Sequence, residues 1–92
     1  GGMLIVVATI DKESKTLLSD PYVMTRGFIY VKESEELMNE VKQIAISEIE
    51  NLLANETNEL LVMKNRIKKA LERHLYEKTK RRPSIFPIIM EV

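Results

Sequence analysis

Residues Met3-Leu4-Ile5-Val6-Val7-Ala8-Thr9-Ile10 form an unbroken apolar run rich in β-branched side chains. Such a run is the pattern of a strand covered on both faces, and it contains no proline to confine it to a sheet edge. Every other element has to be arranged around this central strand. The polar break Asp11–Lys15 has the length of a hairpin connection, after which Thr16-Leu17-Leu18-Ser19 resumes as a second strand. Asp20-Pro21 interrupts it, because proline donates no ladder hydrogen bond, so an edge or a bulge is expected there. Tyr22–Thr25 continues extended, and Gly27 marks a bend before Phe28-Ile29-Tyr30-Val31.

Two helices come next. Ser34 is the expected N-cap of the first, with Glu35 and Glu36 in the first turn, where the dipole favours negative charge. Leu37, Met38, Val41, Ile44, Ala45, Ile49, Leu52 and Leu53 recur at helical spacing. Asn55 is the expected stop and Thr57 the expected cap of the second helix. Its stripe is Leu60, Met63, Ile67, Ala70, Leu71, His74 and Leu75. A connection this short between amphipathic helices predicts an antiparallel pair. A last strand starts at Pro83 and alternates Ile85, Pro87 and Ile89 against Phe86, Ile88 and Met90. The prediction is an α+β fold of order β-β-α-α-β: a three-stranded sheet with two antiparallel helices on one face. The spatial order is second–first–third, with the third strand parallel to the first.

The chain's 92 residues suit one domain, residues 1–92, burying about 60–65% of the unfolded chain's surface. Two helices cover one face of the sheet, yet the first and last strands are apolar on both. The second face is expected to meet another protein surface, since leaving it in water costs about 25 cal/mol per Å². Leu4 and Val6 with Phe86, Ile88 and Met90 are the expected interface residues. Tyr22, Tyr30, Phe28 and Phe86 are the aromatic candidates for its anchors, Phe28 being equally suited to the core.

Charge is balanced, with Lys+Arg and Asp+Glu both 14, so no global field draws in nucleic acid or an acidic membrane. The distribution is uneven, acidic from Glu33 to Glu59 and basic from Lys64 to Arg82. Lys68, Lys69, Arg73, Lys78, Lys80, Arg81 and Arg82 are therefore the candidates for contact with RNA or with an acid on another domain. The more ordinary reading is a solvated face that offsets the helix dipole. The chain lacks a GXXG loop and a pair of stacking aromatics on the central strand, which argues against two common RNA-binding modules.

Nothing supports catalysis by this chain alone. The single histidine, His74, has Glu77 at i+3 as its only nearby acid, and no serine has a positioned base. The absence of cysteine excludes a disulfide framework and a thiol nucleophile, and fits a reducing cytoplasm. Met3–Ala8 is too short to span a membrane, and no membrane partner is expected.

The closing stretch Leu75-Tyr76-Glu77-Lys78-Thr79-Lys80-Arg81-Arg82-Pro83, ending on Pro87-Ile88-Ile89-Met90-Glu91-Val92, resembles the extreme C-terminus of bacterial ribonuclease J. The opening strand ending Thr9-Ile10 agrees, as does Thr25-Arg26-Gly27-Phe28-Ile29-Tyr30-Val31 with Glu33-Ser34 just beyond it. The resemblance implies the C-terminal domain of a metallo-β-lactamase-fold nuclease of the β-CASP group. Such enzymes degrade and process RNA by 5′→3′ exonuclease and endonuclease action with a pair of zinc ions, and form dimers and tetramers to which this domain contributes. It further implies that the partners are the parent's own catalytic domains and other subunits, in a homo- or hetero-oligomer. The zinc-binding His and Asp motifs belong to the lactamase domain and have no counterpart here. No catalytic, cofactor or metal residue is carried over to this chain.

Overall fold

The structure, a computed structural model, describes residues 1–28, 34–57 and 59–92. Strand β1 (Met3–Asp11) is central. Strand β4 (Ser84–Glu91) runs parallel to it, from Met3 opposite Ser84 to Ile10 opposite Glu91. Strands β2 (Thr16–Leu17) and β3 (Tyr22–Arg26) both pair antiparallel with β1, at Ile10–Asp11 and Met3–Val7 respectively. Because β4 lines one edge of β1, β2 and β3 must share the other.

The expectation of three strands is thus corrected to four. The predicted second strand is two pieces, parted at Leu18–Pro21, where the Leu18 N–H makes the last bond to β1, to the Thr9 carbonyl at 2.9 Å. The register sum with β1 changes across that gap, Ile10 pairing with Leu17 but Val7 with Tyr22, so two residues are bulged out. Pro21 has no N–H to give the ladder, and its side chain is buried instead. The edge position of β4 accommodates Pro87 for the same reason.

Helices α1 (Ser34–Ala54) and α2 (Leu60–Thr79) pack on each other, α1 also contacting β2 and β3, and α2 contacting β4. Glu40 near the start of α1 meets His74 and Lys78 near the end of α2, so the pair is antiparallel. Leu37, Val41, Ala45, Ile49 and Leu52 of α1, with Met63, Ile67, Leu71 and Leu75 of α2, bury the predicted stripes.

The helices cover the face of Leu4, Val6, Ala8, Ile10, Ile85 and Ile89. Leu4 and Val6 are 0% and 1% exposed. Their expected place in an interface is corrected: they are core. Leu4 lies opposite Ile85, whereas Phe86 lies opposite Ile5. Neighbouring residues of a strand point to opposite faces, so Leu4 and Val6 cannot share a surface with Phe86 and Ile88.

The junction between the helices is closed by backbone bonds. Thr57 N–H donates to the Leu52 carbonyl at 2.8 Å and Glu56 N–H to that of Leu53 at 3.0 Å, with Glu56 at φ 59. This is a Schellman stop, which leaves Asn55 at the helix end as expected. Thr57 belongs to that stop and does not cap α2; Glu59 precedes α2 and makes no side-chain cap bond. The roles expected of Ile29, Tyr30, Val31 and the Ser34 side chain fall outside the described residues.

Gly2 shows why the chain cannot carry a larger residue beside β1. It sits at φ +93, and a Cβ there would lie 2.6 Å from the Gly27 carbonyl oxygen and 2.8 Å from Phe28 Cβ. Its own carbonyl accepts from Ser84 N–H at 2.9 Å, joining the starts of β1 and β4.

Candidate functional site

The sheet face away from the helices is the main candidate. The registers place its side chains in rows across three strands: Arg26, Met3 and Ser84; Met24, Ile5 and Phe86; Tyr22, Val7 and Ile88; then Thr9 and Met90. The two middle rows are apolar apart from the Tyr22 hydroxyl. Exposure is 61% at Tyr22, 47% at Met24, 47% at Phe86, 45% at Ile88 and 52% at Met90. With strands ~4.8 Å apart and ~3.3 Å per residue, each side chain on one face covers roughly 32 Å². The two middle rows with Met3 and Met90 therefore cover roughly 250 Å² in projection, near the few hundred Å² at which a monomer's largest apolar patch is often functional. Arg26, Ser84 and Thr9 give it polar ends, as in interfaces with an apolar centre and polar rim.

Of the expected interface residues, Phe86, Ile88 and Met90 lie on this face. Tyr22 and Phe86 are its two aromatic groups, while Phe28 is buried in the core. Sequence reasoning missed Ile5, Val7 and Met24. The signal was Thr9, the one polar residue within Met3–Ile10, which shares its alternation with Ile5 and Val7.

The basic candidates divide into two sets. Arg81 and Lys78 are engaged with the protein itself. The Arg81 guanidinium donates to the Phe28 carbonyl oxygen at 2.9 Å and lies 5.6 Å from the centre of the Phe28 ring. Lys78 Nζ is 3.6 Å from Glu40 Oε2. Helix α2 ends in a compact cap that orients Lys80, Arg81 and Arg82. Thr79 Oγ1 donates to the Leu75 carbonyl at 2.7 Å and accepts from Arg81 N–H at 3.1 Å, and Lys80 N–H donates to the Tyr76 carbonyl at 2.8 Å. This turn puts Lys80 Nζ 5.2 Å and the Arg82 guanidinium 4.3 Å from the centre of the Tyr76 ring. Lys68, Lys69 and Arg73 are exposed on α2.

His74 does not pair with Glu77. Its Nε2 lies 2.6 Å from Glu40 Oε1 on the other helix. That hydrogen bond, helped by the charge of Lys78 and opposed by partial desolvation, holds the Glu40 carboxyl below its ordinary value. A carboxylate flanked by a histidine and a lysine can tie two helices together, but it lacks a positioned nucleophile. Among the described residues no group of three or more His, Cys, Asp or Glu could hold a metal ion, so these residues do not fit the zinc pair that the resemblance implies for the parent. No described helix is long and apolar enough to cross a membrane.

Residues 1–92 match the family model of the ribonuclease J C-terminal domain. The chain is 46% identical over 91 residues to ribonuclease J2 of Bacillus subtilis (strain 168), covering 99% of the chain and 16% of that protein. It is 37% identical to ribonuclease J 2 of Streptococcus pyogenes serotype M3 and 34% identical to that of Staphylococcus aureus (strain NCTC 8325), again over 99% of the chain and 16% of each relative.

Proposed function

The chain belongs to the ribonuclease J C-terminal domain family, and on that premise we propose that it is the assembly and accessory domain of an RNA-degrading and RNA-processing nuclease. Its uncovered sheet face docks against the rest of the parent protein, either its own catalytic domains or those of another subunit. The exonuclease and endonuclease chemistry, its metallo-β-lactamase and β-CASP framework and its zinc ions reside in the parent's other domains, in the cytoplasm. The Bacillus and Streptococcus relatives are J2 proteins, which supports placing the parent with that paralogue.

The observation that carries the reading is the pair of apolar rows Met24–Ile5–Phe86 and Tyr22–Val7–Ile88. Among the described residues the buried core lies on the other side of the sheet, so an apolar face on this side fits a partner surface better than a folding role. Phe86→Ser with Ile88→Ser tests it in the full-length parent by light scattering and ribonuclease assay. The expected result is a smaller assembly, or an unchanged mass with lowered activity, while the isolated chain keeps its fold. Unchanged mass and activity would refute it.

The alternative is RNA binding through the second helix and Lys78–Arg82. Lys78 and Arg81 already have partners within the domain; the remaining cations carry a narrower form of that idea.

A further inference from the structure

Lys69, Arg73, Tyr76 and Lys80 succeed one another at spacings of four, three and four residues. Those spacings stack Lys69, Arg73 and Tyr76 on a single stripe of α2, opposite the buried Met63, Ile67, Leu71 and Leu75, and Lys80, the left-handed cap residue just past the helix end, continues the line beside Tyr76. All four are exposed, and Arg82 reaches back over the Tyr76 ring from beyond the helix end. Arg73, Tyr76 and Arg82 line one shallow cleft with Glu72 and Pro83.

Among the described residues the only ion pairs are those of Glu40 with His74 and Lys78. Lys69, Arg73, Lys80 and Arg82 are therefore not neutralised by any of them. Lys80 and Arg82 both lie against one ring, which places two positive charges on the same part of the surface, where a bound anion would be favoured. The helix dipole does not account for the stripe, since its effect is confined to the last turn, and Lys69 and Arg73 lie earlier. The stripe is linear, about 16 Å long at 1.5 Å per residue, and contains one exposed aromatic ring. Cations that track a backbone beside a stacking ring are the elements that hold single-stranded nucleic acid without reading its sequence.

We propose that Lys69, Arg73, Tyr76, Lys80 and Arg82 form a track for the backbone of single-stranded RNA on the outer side of α2. This rests on the reading that the parent acts on RNA. It narrows the role to cations that make no ion pair among the described residues, and sets it on a surface separate from the sheet face. Tyr76 is a positioning residue that holds two cations together.

The test is fluorescence anisotropy of a labelled oligouridine of about 12 nucleotides with the chain, between about 50 and 200 mM salt. Lys69→Glu with Arg73→Glu should weaken binding at least about tenfold and lower the salt slope by about 1.4. Tyr76→Ala should weaken it about fivefold or more, with Tyr76→Phe restoring it. Lys68→Glu, exposed but off the stripe, should have a clearly smaller effect. Absence of binding at low salt, or equal loss from Lys68→Glu, would overturn the track. Unchanged RNA binding with a smaller parent assembly would also overturn it, by making the stripe a contact for an acidic protein surface. Phe86→Ser should leave RNA binding intact, so failure of the track and failure of the sheet interface are read separately.

Discussion

Arg81 reaches across 53 residues of sequence to donate a hydrogen bond from its guanidinium to the carbonyl oxygen of Phe28, at 2.9 Å. The bond ties the exit of α2 to the end of the β3 bend, beside the Gly2 contact that joins β1 to the same bend. Arg81 is thus a strut between the two halves of the fold.

Arg81→Ala should destabilise the chain by about 1–2 kcal/mol, through one charge-assisted hydrogen bond and the contact with the Phe28 ring. Arg81→Lys should recover only part of this, because a single ammonium cannot satisfy the carbonyl and lie flat on the ring together. Urea unfolding measures both. A loss below about 0.3 kcal/mol for Arg81→Ala would show that the strut is not holding the bend.

The Glu40 carboxylate makes stability depend on pH. The folded-state value of Glu40 is lowered from the ordinary 4.5, by the His74 hydrogen bond first and by Lys78 second. A carboxylate with a lowered folded value contributes stability that is present above its unfolded value and lost as pH falls through the folded one. Glu40→Gln should therefore flatten the acid limb of a stability–pH profile below pH 4.5. An identical acid limb in both proteins would contradict the assignment.

The stop of α1 uses Glu56 in the left-handed region, at φ 59, where glycine carries no steric cost. Glu56→Gly should raise stability by about 0.5–1 kcal/mol, the relief of strain exceeding the added freedom of the unfolded chain. Destabilisation by urea unfolding would mean that the Glu56 side chain makes a contribution larger than the strain.

The architecture was legible because its signals do not compete. The apolar run at Met3–Ile10 marks the centre of the sheet, Asp20-Pro21 marks the broken edge, and the stripes of α1 and α2 keep one period each. The choice of sheet face was only weakly marked. One alternation of β1 is wholly apolar and the other departs from that at Thr9 alone, and the pairing with β4 is what shows that Leu4 goes with Ile85 and Ile5 with Phe86. The partner of His74 was hidden for a related reason: Glu40 lies 34 residues away, brought near only by the antiparallel pairing of the helices. The basic stretch reads as one unit in sequence, yet the turn after Thr79 sends Arg81 inward to Phe28 and Arg82 outward to Tyr76.

The central claim is that the open sheet face is covered in the parent protein, and the methionines report on it directly. Met24 and Met90 lie on that face at 47% and 52% exposure, whereas Met63 is in the core at 1%. Thioether oxidation depends on access, so dilute peroxide with peptide mass spectrometry compares the isolated chain at low concentration with the full-length assembly. In the isolated chain Met24 and Met90 should oxidise much faster than Met63. In the assembly their rates should fall several-fold toward that of Met63. Equal rates for Met24 and Met90 in the two proteins would show a face open to water in both, and would contradict the account.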